Sequence, residues 1–180
     1  MPFPELPPLI LDALTAQGYV EPTPVQAAVM EPDAIGRDLV VSAQTGSGKT
    51  VAFGMAMAAR LLEVGGNGPA RAPLALVIAP TRELALQVSR ELEWLFAKAG
   101  GRIVTCVGGM NAAMERKALG QGCHIVVGTP GRLRDHLERG SLDCSALQYV
   151  VLDEADEMLD MGFREDLEEI LDATPGERKT

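Results

Sequence analysis

The octet Ala43-Gln44-Thr45-Gly46-Ser47-Gly48-Lys49-Thr50 constrains this chain more than any other segment, because it joins the apolar run Leu39-Val40-Val41 to a helical stretch over 49–63. Apart from Ala43 at the first glycine position, it is the G-x-x-x-x-G-K-[ST] pattern in the strand–loop–helix setting that the pattern requires. Gly46 and Gly48 admit backbone conformations and close approach that a Cβ blocks, so successive N–H groups can ring a phosphate. The following helix adds the positive end of its dipole. Thr45 and Ser47 complete the cradle, Lys49 reaches the β- and γ-phosphates, and Thr50 offers a hydroxyl to Mg²⁺. A glycine-rich turn that merely joins strand to helix is the plainer alternative; the flanks favour phosphate binding.

Further apolar runs follow at 74–79, 103–107, 125–127 and 149–152. Each is continuous rather than alternating, as in strands buried on both faces of a parallel sheet. Helical stretches separate them. In residues 82–98, Leu84, Val88, Leu92 and Leu95 recur at steps of three and four. Shorter helices are expected at 111–119, 131–139, 154–160 and 163–172, and the segment 65–73 reads as a surface loop. Strand–helix alternation predicts an α/β fold, a mostly parallel sheet with helices on both faces. Ligands of such sheets sit at the carboxyl ends of the strands.

A chain of 180 residues with 47% hydrophobic and 23% charged residues is globular in composition and fits one domain, which excludes disorder. The longest stretch without Asp, Glu, Lys or Arg, Ala118–Gly131, is too short and too polar to span a bilayer. Met1-Pro2-Phe3-Pro4-Glu5 has no basic region ahead of an apolar core, so no secretory signal is expected. Cys106, Cys123 and Cys144 have no Cys-x-x-Cys spacing and are expected to be reduced, buried thiols. The expected location is the cytoplasm.

The net charge of −9 is uneven. Residues 151–180 carry 11 acidic and 3 basic side chains, against 14 and 13 over residues 1–150. A near-neutral body with placed arginines leaves polyanion binding open.

Asp153-Glu154-Ala155-Asp156 ends the last apolar run. A carboxylate there needs a cation to balance it. Asp153 is a candidate Mg²⁺ ligand through water, and Glu154 a candidate to position or deprotonate an attacking water. Taken alone, an acidic cap on the next helix explains the pair equally well; the upstream phosphate loop favours hydrolysis. Glu165, Asp166, Glu168, Glu169 and Asp172 read as a solvated helix face.

Three other strands end in helix openings: Pro80-Thr81-Arg82-Glu83, Gly108-Gly109-Met110-Asn111 and Thr129-Pro130-Gly131-Arg132. Thr81, Asn111 and Thr129 suit N-caps, and Pro130 the first helical position. Exposed N–H groups beside Arg82 and Arg132 make anion sites. Singly, each is ordinary capping. Three on one rim beside a phosphate loop favour a polyanion held by phosphate and sugar, without regard to base sequence.

In Gly18-Tyr19-Val20-Glu21-Pro22-Thr23-Pro24-Val25-Gln26, Tyr19 offers a flat face and Gln26 a paired donor and acceptor. Packing of Tyr19 and a cap at Thr23-Pro24 account for the segment from its chemistry alone. His124 and His136 are expected to cap or pack locally, Met55, Met57, Met158 and Met161 to fill core, and Trp94 to pack its helix.

Together these segments resemble the first RecA-like domain of the DEAD-box ATP-dependent RNA helicases. Residues 18–26 look like the Q motif, with Phe3 as the upstream aromatic, and residues 43–50 look like motif I. Pro80-Thr81-Arg82-Glu83-Leu84-Ala85 resembles motif Ia, Gly108-Gly109 the GG motif, Thr129-Pro130-Gly131-Arg132 motif Ib, and Asp153-Glu154-Ala155-Asp156 motif II. The resemblance implies a RecA-like P-loop NTPase domain at 37–180 behind a Q-motif segment at 1–36, the two forming one domain. It implies an ATP and Mg²⁺ site in which Gln26 with Thr23 recognises adenine and Tyr19 stacks on it, while Lys49, Thr50, Asp153 and Glu154 run hydrolysis. Pro80, Thr81, Arg82, Gly108, Gly109, Thr129, Pro130, Gly131 and Arg132 would hold an RNA backbone. The family continues past the position of Thr180 into a second RecA-like domain. The chain is therefore expected to be a monomeric portion of an RNA-stimulated ATPase that binds nucleotide weakly, hydrolyses it barely and unwinds nothing alone.

Overall fold

The computed structural model describes residues 6–32, 38, 48–65, 72–109, 111–176, 178 and 180, and of residues 63–65 the backbone alone. The expected strand Leu39-Val40-Val41, the loop residues Ala43–Ser47 with Thr45, Gly46 and Ser47, the aromatic Phe3 and residues 66–71 of the surface loop lie outside these.

The four later apolar runs become β1 (Ala75–Ile78), β2 (Ile103–Cys106), β3 (Ile125–Gly128) and β4 (Tyr149–Leu152). They form one parallel sheet in the order β2-β3-β1-β4. β1 lies between β3 and β4, with Ala75 opposite both Ile125 and Tyr149. Bonds continue past the strand ends: the Leu74 N–H donates to the His124 carbonyl at 2.8 Å and the Ala79 N–H to the Gly128 carbonyl at 2.9 Å.

Two cores flank the sheet, and consecutive residues of a strand serve different ones. Ala75 and Val77 of β1, with Ile125 and Val127 of β3, face the first core. Leu76, Ile78 and Val126 face the second. That is why the runs are apolar without alternation. The first core is closed by α1 (Pro8–Ala16), α3 (Lys49–Gly65) and α4 (Arg82–Phe96), through residues such as Leu14, Met55, Val88 and Leu92. α2 (Pro24–Val29) packs on α3. The second core is closed by α5 (Ala112–Gly120), α6 (Pro130–Glu138), α7 (Ala155–Asp160) and α8 (Arg164–Asp172). Arg134 ties α6 to α8 through Asp166, at 3.0 Å, and through Glu169.

The amino-terminal segment is integral to this layer, since Leu6, Ile10 and Leu14 are buried in the first core. All three cysteines are free and buried, as expected. Met55, Met57 and Met158 are core residues, but Met161 is 48% exposed. It follows α7 at a C-cap that leads into the Gly162 turn, and so points away from the sheet. Among the described residues no helix is long and apolar enough to cross a membrane.

Candidate nucleotide and polynucleotide site

Because the four strands run parallel, the segments leaving them all emerge on one edge: Ala79-Pro80-Thr81, Val107-Gly108-Gly109, Thr129 and Asp153-Glu154. The first turn of α3 reaches the same edge. Lys49 Nζ lies 2.8 Å from Asp153 Oδ1 and 3.0 Å from Glu154 Oε1. Asp153 is almost wholly buried, and its N–H donates to the Ile78 carbonyl at 2.9 Å, extending the β1–β4 ladder by one bond. Burial works against the Lys49 charge, but hydrogen bonds and the charges of both carboxylates outweigh it and hold its pKa above the ordinary lysine value. Thr50 is half-buried in the same turn.

Glu154 stands at φ 56° and ψ 51°, the only non-glycine residue at positive φ among those described. A side chain in left-handed backbone costs about 1–2 kcal/mol, and such strain concentrates at functional positions. Here it turns the chain from β4 into α7 and brings the Glu154 carboxylate to the Lys49 ammonium. Glu154 is the N-cap residue of α7 but makes no side-chain cap bond there; its carboxylate is turned to Lys49 instead.

The Q-like segment meets the phosphate loop at its last residue. Thr23 caps α2 in a capping box: its Oγ1 accepts from the Gln26 N–H at 3.4 Å, and its own N–H donates to Gln26 Oε1 at 3.0 Å. Gln26 Nε2 donates to the Gly48 carbonyl at 3.2 Å. Gly48 has φ +81°, and a Cβ there would lie 2.5 Å from Gln26 Nε2. Gln26 is fully buried, and among the described residues one amide N–H and one carbonyl lone pair remain beyond these bonds. Tyr19 stacks on Trp94 of α4, ring centroids 5.6 Å apart and planes 29° apart. Burial, and then the charge of Glu91, raise its pKa above the usual tyrosine value. One face of Tyr19 is thus already covered, and Trp94 is the partner that sequence reasoning did not assign to it.

The helix openings differ in how fully they are used. Thr81 Oγ1 accepts from the Leu84 N–H at 3.2 Å and Asn111 Oδ1 from the Ala113 N–H at 2.9 Å, both as caps. Thr129 precedes Pro130 at the first position of α6 but makes no side-chain cap bond. Arg82 reaches the Gly108-Gly109 turn: a Cβ on Gly109, which has φ +81°, would lie 2.7 Å from Arg82 Nη1. Arg132 Nε lies 3.6 Å from Glu115 Oε1. Pro130 is buried, while Gly108, Gly109 and Gly131 are exposed on this rim.

Glu115 was not foreseen. It sits on the inward stripe of α5, four residues before Leu119, and both are buried. That placement of an acid on an apolar stripe was the available signal. Its Oε2 accepts from the Val107 N–H at 2.9 Å and its Oε1 from His136 Nε2 at 2.8 Å. His136 therefore packs locally, as expected, but against a carboxylate. His124 also acts locally, its Nδ1 accepting from the Arg102 N–H at 2.9 Å.

Residues 23–180 match the DEAD/DEAH box helicase family. The chain is 48% identical over 177 residues to the ATP-dependent RNA helicase DeaD of Buchnera aphidicola subsp. Schizaphis graminum, covering 97% of this chain and 28% of that protein. It is 47% identical over 172 residues to the DeaD protein of Escherichia coli strain K12, covering 95% and 27%. It is 44% identical over 171 residues to the DEAD-box ATP-dependent RNA helicase CshA of Geobacillus kaustophilus, covering 95% and 36%. The chain thus spans about a quarter to a third of the length of these relatives. With motif-bearing residues gathered at one sheet edge and a family match over most of its length, the chain belongs to the DEAD/DEAH box helicases.

Proposed function

We propose that this chain is the ATP- and RNA-binding portion of an ATP-dependent RNA helicase, in which hydrolysis at the Lys49 site is coupled to local separation of RNA strands. The observation that carries the reading is the meeting of Lys49 with Asp153 and Glu154 at the strand ends, beside the helix openings at Thr81 and Thr129.

The residues suit Mg²⁺ and a nucleoside triphosphate. Asp153 is a buried carboxylate whose neighbour is a displaceable ammonium, and Thr50 lies one residue beyond that lysine. Thr50 and Asp153 would hold the ion, which neutralises charge on the β- and γ-phosphates. Lys49 exchanges its carboxylate partners for a phosphate oxygen. Glu154, released from Lys49, orients the attacking water and takes its proton. The spare N–H and lone pair of Gln26 match the N7 and N6 pattern of adenine and not that of guanine. Tyr19, stacked on Trp94 by one face, would offer its other face to the same base, and Thr45, Gly46, Ser47 and Gly48 would give main-chain N–H groups to the phosphates.

RNA lies along the other openings, its phosphates and sugars held by Pro80, Thr81, Arg82, Gly108, Gly109, Thr129, Pro130, Gly131 and Arg132. The same reading makes the protein a cytoplasmic monomer whose second RecA-like domain completes both sites, so this portion binds nucleotide, hydrolyses it slowly and separates no strands by itself. The test is ATPase rate with and without single-stranded RNA for this chain and for the full-length protein that carries it. Binding of fluorescent ADP by the chain, with RNA-stimulated turnover only in the longer protein, is the expected result. RNA-stimulated turnover or unwinding by residues 1–180 at full-length rates would refute it.

A further inference from the structure

A buried polar hub lies behind the proposed RNA rim, in the second core. Glu115 of α5 is 5% exposed and His136 of α6 is fully buried. The carboxylate joins two segments: it accepts hydrogen bonds from the Val107 N–H after β2 and from the His136 ring on α6, and it pairs with the Arg132 guanidinium, 3.6 Å away at the start of α6. Val107 is the residue immediately before the Gly108-Gly109 turn, and Arg132 belongs to the Thr129 opening. We propose that Glu115 is a positioning residue that locks the Gly108-Gly109 turn to the helix carrying Arg132, so that both rim segments present themselves to RNA as one unit. This rests on the RNA-binding reading above.

Cys106, Glu115 and His136 also bring one potential ligand atom each within 4.8 Å of one another. The hydrogen bonds favour a lock over a metal site. Both Glu115 oxygens already accept N–H groups, and the Arg132 guanidinium stands beside the carboxylate as its counter-charge. The Cys106 thiol is pushed far up by burial, and further by the Glu115 charge, and so stays protonated. Among the described residues His136 Nδ1 is buried without a partner, which fits a ring that carries its proton on Nε2, toward Glu115. A buried acid bonded from two segments fixes geometry, since the Val107 N–H and the His136 ring lose their acceptor when it is removed.

The experiment measures binding of fluorescein-labelled oligouridine RNA by anisotropy, in the presence of a non-hydrolysable ATP analogue, for the wild type, Glu115→Ala and Glu115→Gln. Glu115→Ala is expected to weaken RNA binding about tenfold, and Glu115→Gln, which keeps an acceptor for the Val107 N–H, to recover most of the loss. Adding Arg132→Ala to Glu115→Ala should cost little more, because the guanidinium is already misplaced. Nitrogen-15 NMR of the wild type needs no variant: RNA should shift the Val107 amide and His136 ring signals together. Equal RNA affinity for wild type and Glu115→Ala, or Val107 and His136 signals indifferent to RNA, overturns the inference while leaving the RNA-binding reading intact. A wild type that binds no RNA overturns both. Stoichiometric zinc in the purified protein overturns the lock in favour of a metal site.

Discussion

Lys49 and Glu154 stand 105 residues apart in sequence, yet their charged ends meet at 3.0 Å. Asp153 joins them at 2.8 Å from the same ammonium, so a single cation stands between two acids. The folded state favours the protonated lysine. A group whose folded pKa is raised stabilises fully below its unfolded pKa and loses that contribution as pH climbs through the folded value. Wild-type thermal stability should therefore fall more steeply than that of Lys49→Met above the ordinary lysine range, and the two curves should run parallel near neutrality. Melting curves across alkaline pH decide it.

The strained backbone at Glu154 separates stability from chemistry. Glu154→Gly removes left-handed strain of about 1 kcal/mol and gives up an ion pair to a half-exposed carboxylate that contributes little. Its melting temperature should rise by about 2–4 °C. Glu154→Gln keeps the strain and should melt close to wild type. Both should lose hydrolysis in the full-length protein while retaining nucleotide binding, read by calorimetric melting beside phosphate release.

Gly48 tolerates no side chain, because its φ is +81° and the Gln26 amide occupies the space a Cβ needs. Gly48→Ala should cost about 1–2 kcal/mol in stability and weaken fluorescent ADP binding at least tenfold. Gln26→Ala leaves that backbone free but removes the paired donor and acceptor. It should lower ADP affinity while leaving GDP affinity nearly unchanged, which competition titrations would show.

Trp94 is the single tryptophan of the chain, and Tyr19 is stacked on it. An adenine placed on the other face of Tyr19 should alter Trp94 emission. Addition of ADP should change the fluorescence, and Tyr19→Leu should abolish the change. An unaltered signal at saturating ADP would remove Tyr19 from the nucleotide site.

The sequence made the four later strands and their helices legible because both faces of the sheet are covered, which writes each strand as an uninterrupted apolar run. Lys49, Asp153 and Glu154 were singled out in the sequence as a carboxylate pair ending such a run and a lysine opening a helix, and the fold brings their charged ends together. What stayed hidden depended on side chains that meet across distant segments. Tyr19 against Trp94, Gln26 against Gly48, and Arg82 against Gly109 are contacts that no local spacing encodes. Glu115 was missed because an isolated acid among residues 112–120 looks like solvent-facing charge until β2 and α6 close over it.

Apolar side chains on both faces of β4 leave burial almost indifferent to where that strand stops along β1: sliding Tyr149–Leu152 by one place merely exchanges one greasy neighbour for another. What breaks the tie is Asp153. A slide that drew it in beside Ile78 would strand a carboxylate in hydrocarbon, away from Lys49. The acid that pairs with Lys49 therefore also acts as the stop that aligns the strand, and replacing it with an apolar residue would loosen the alignment along with that pairing.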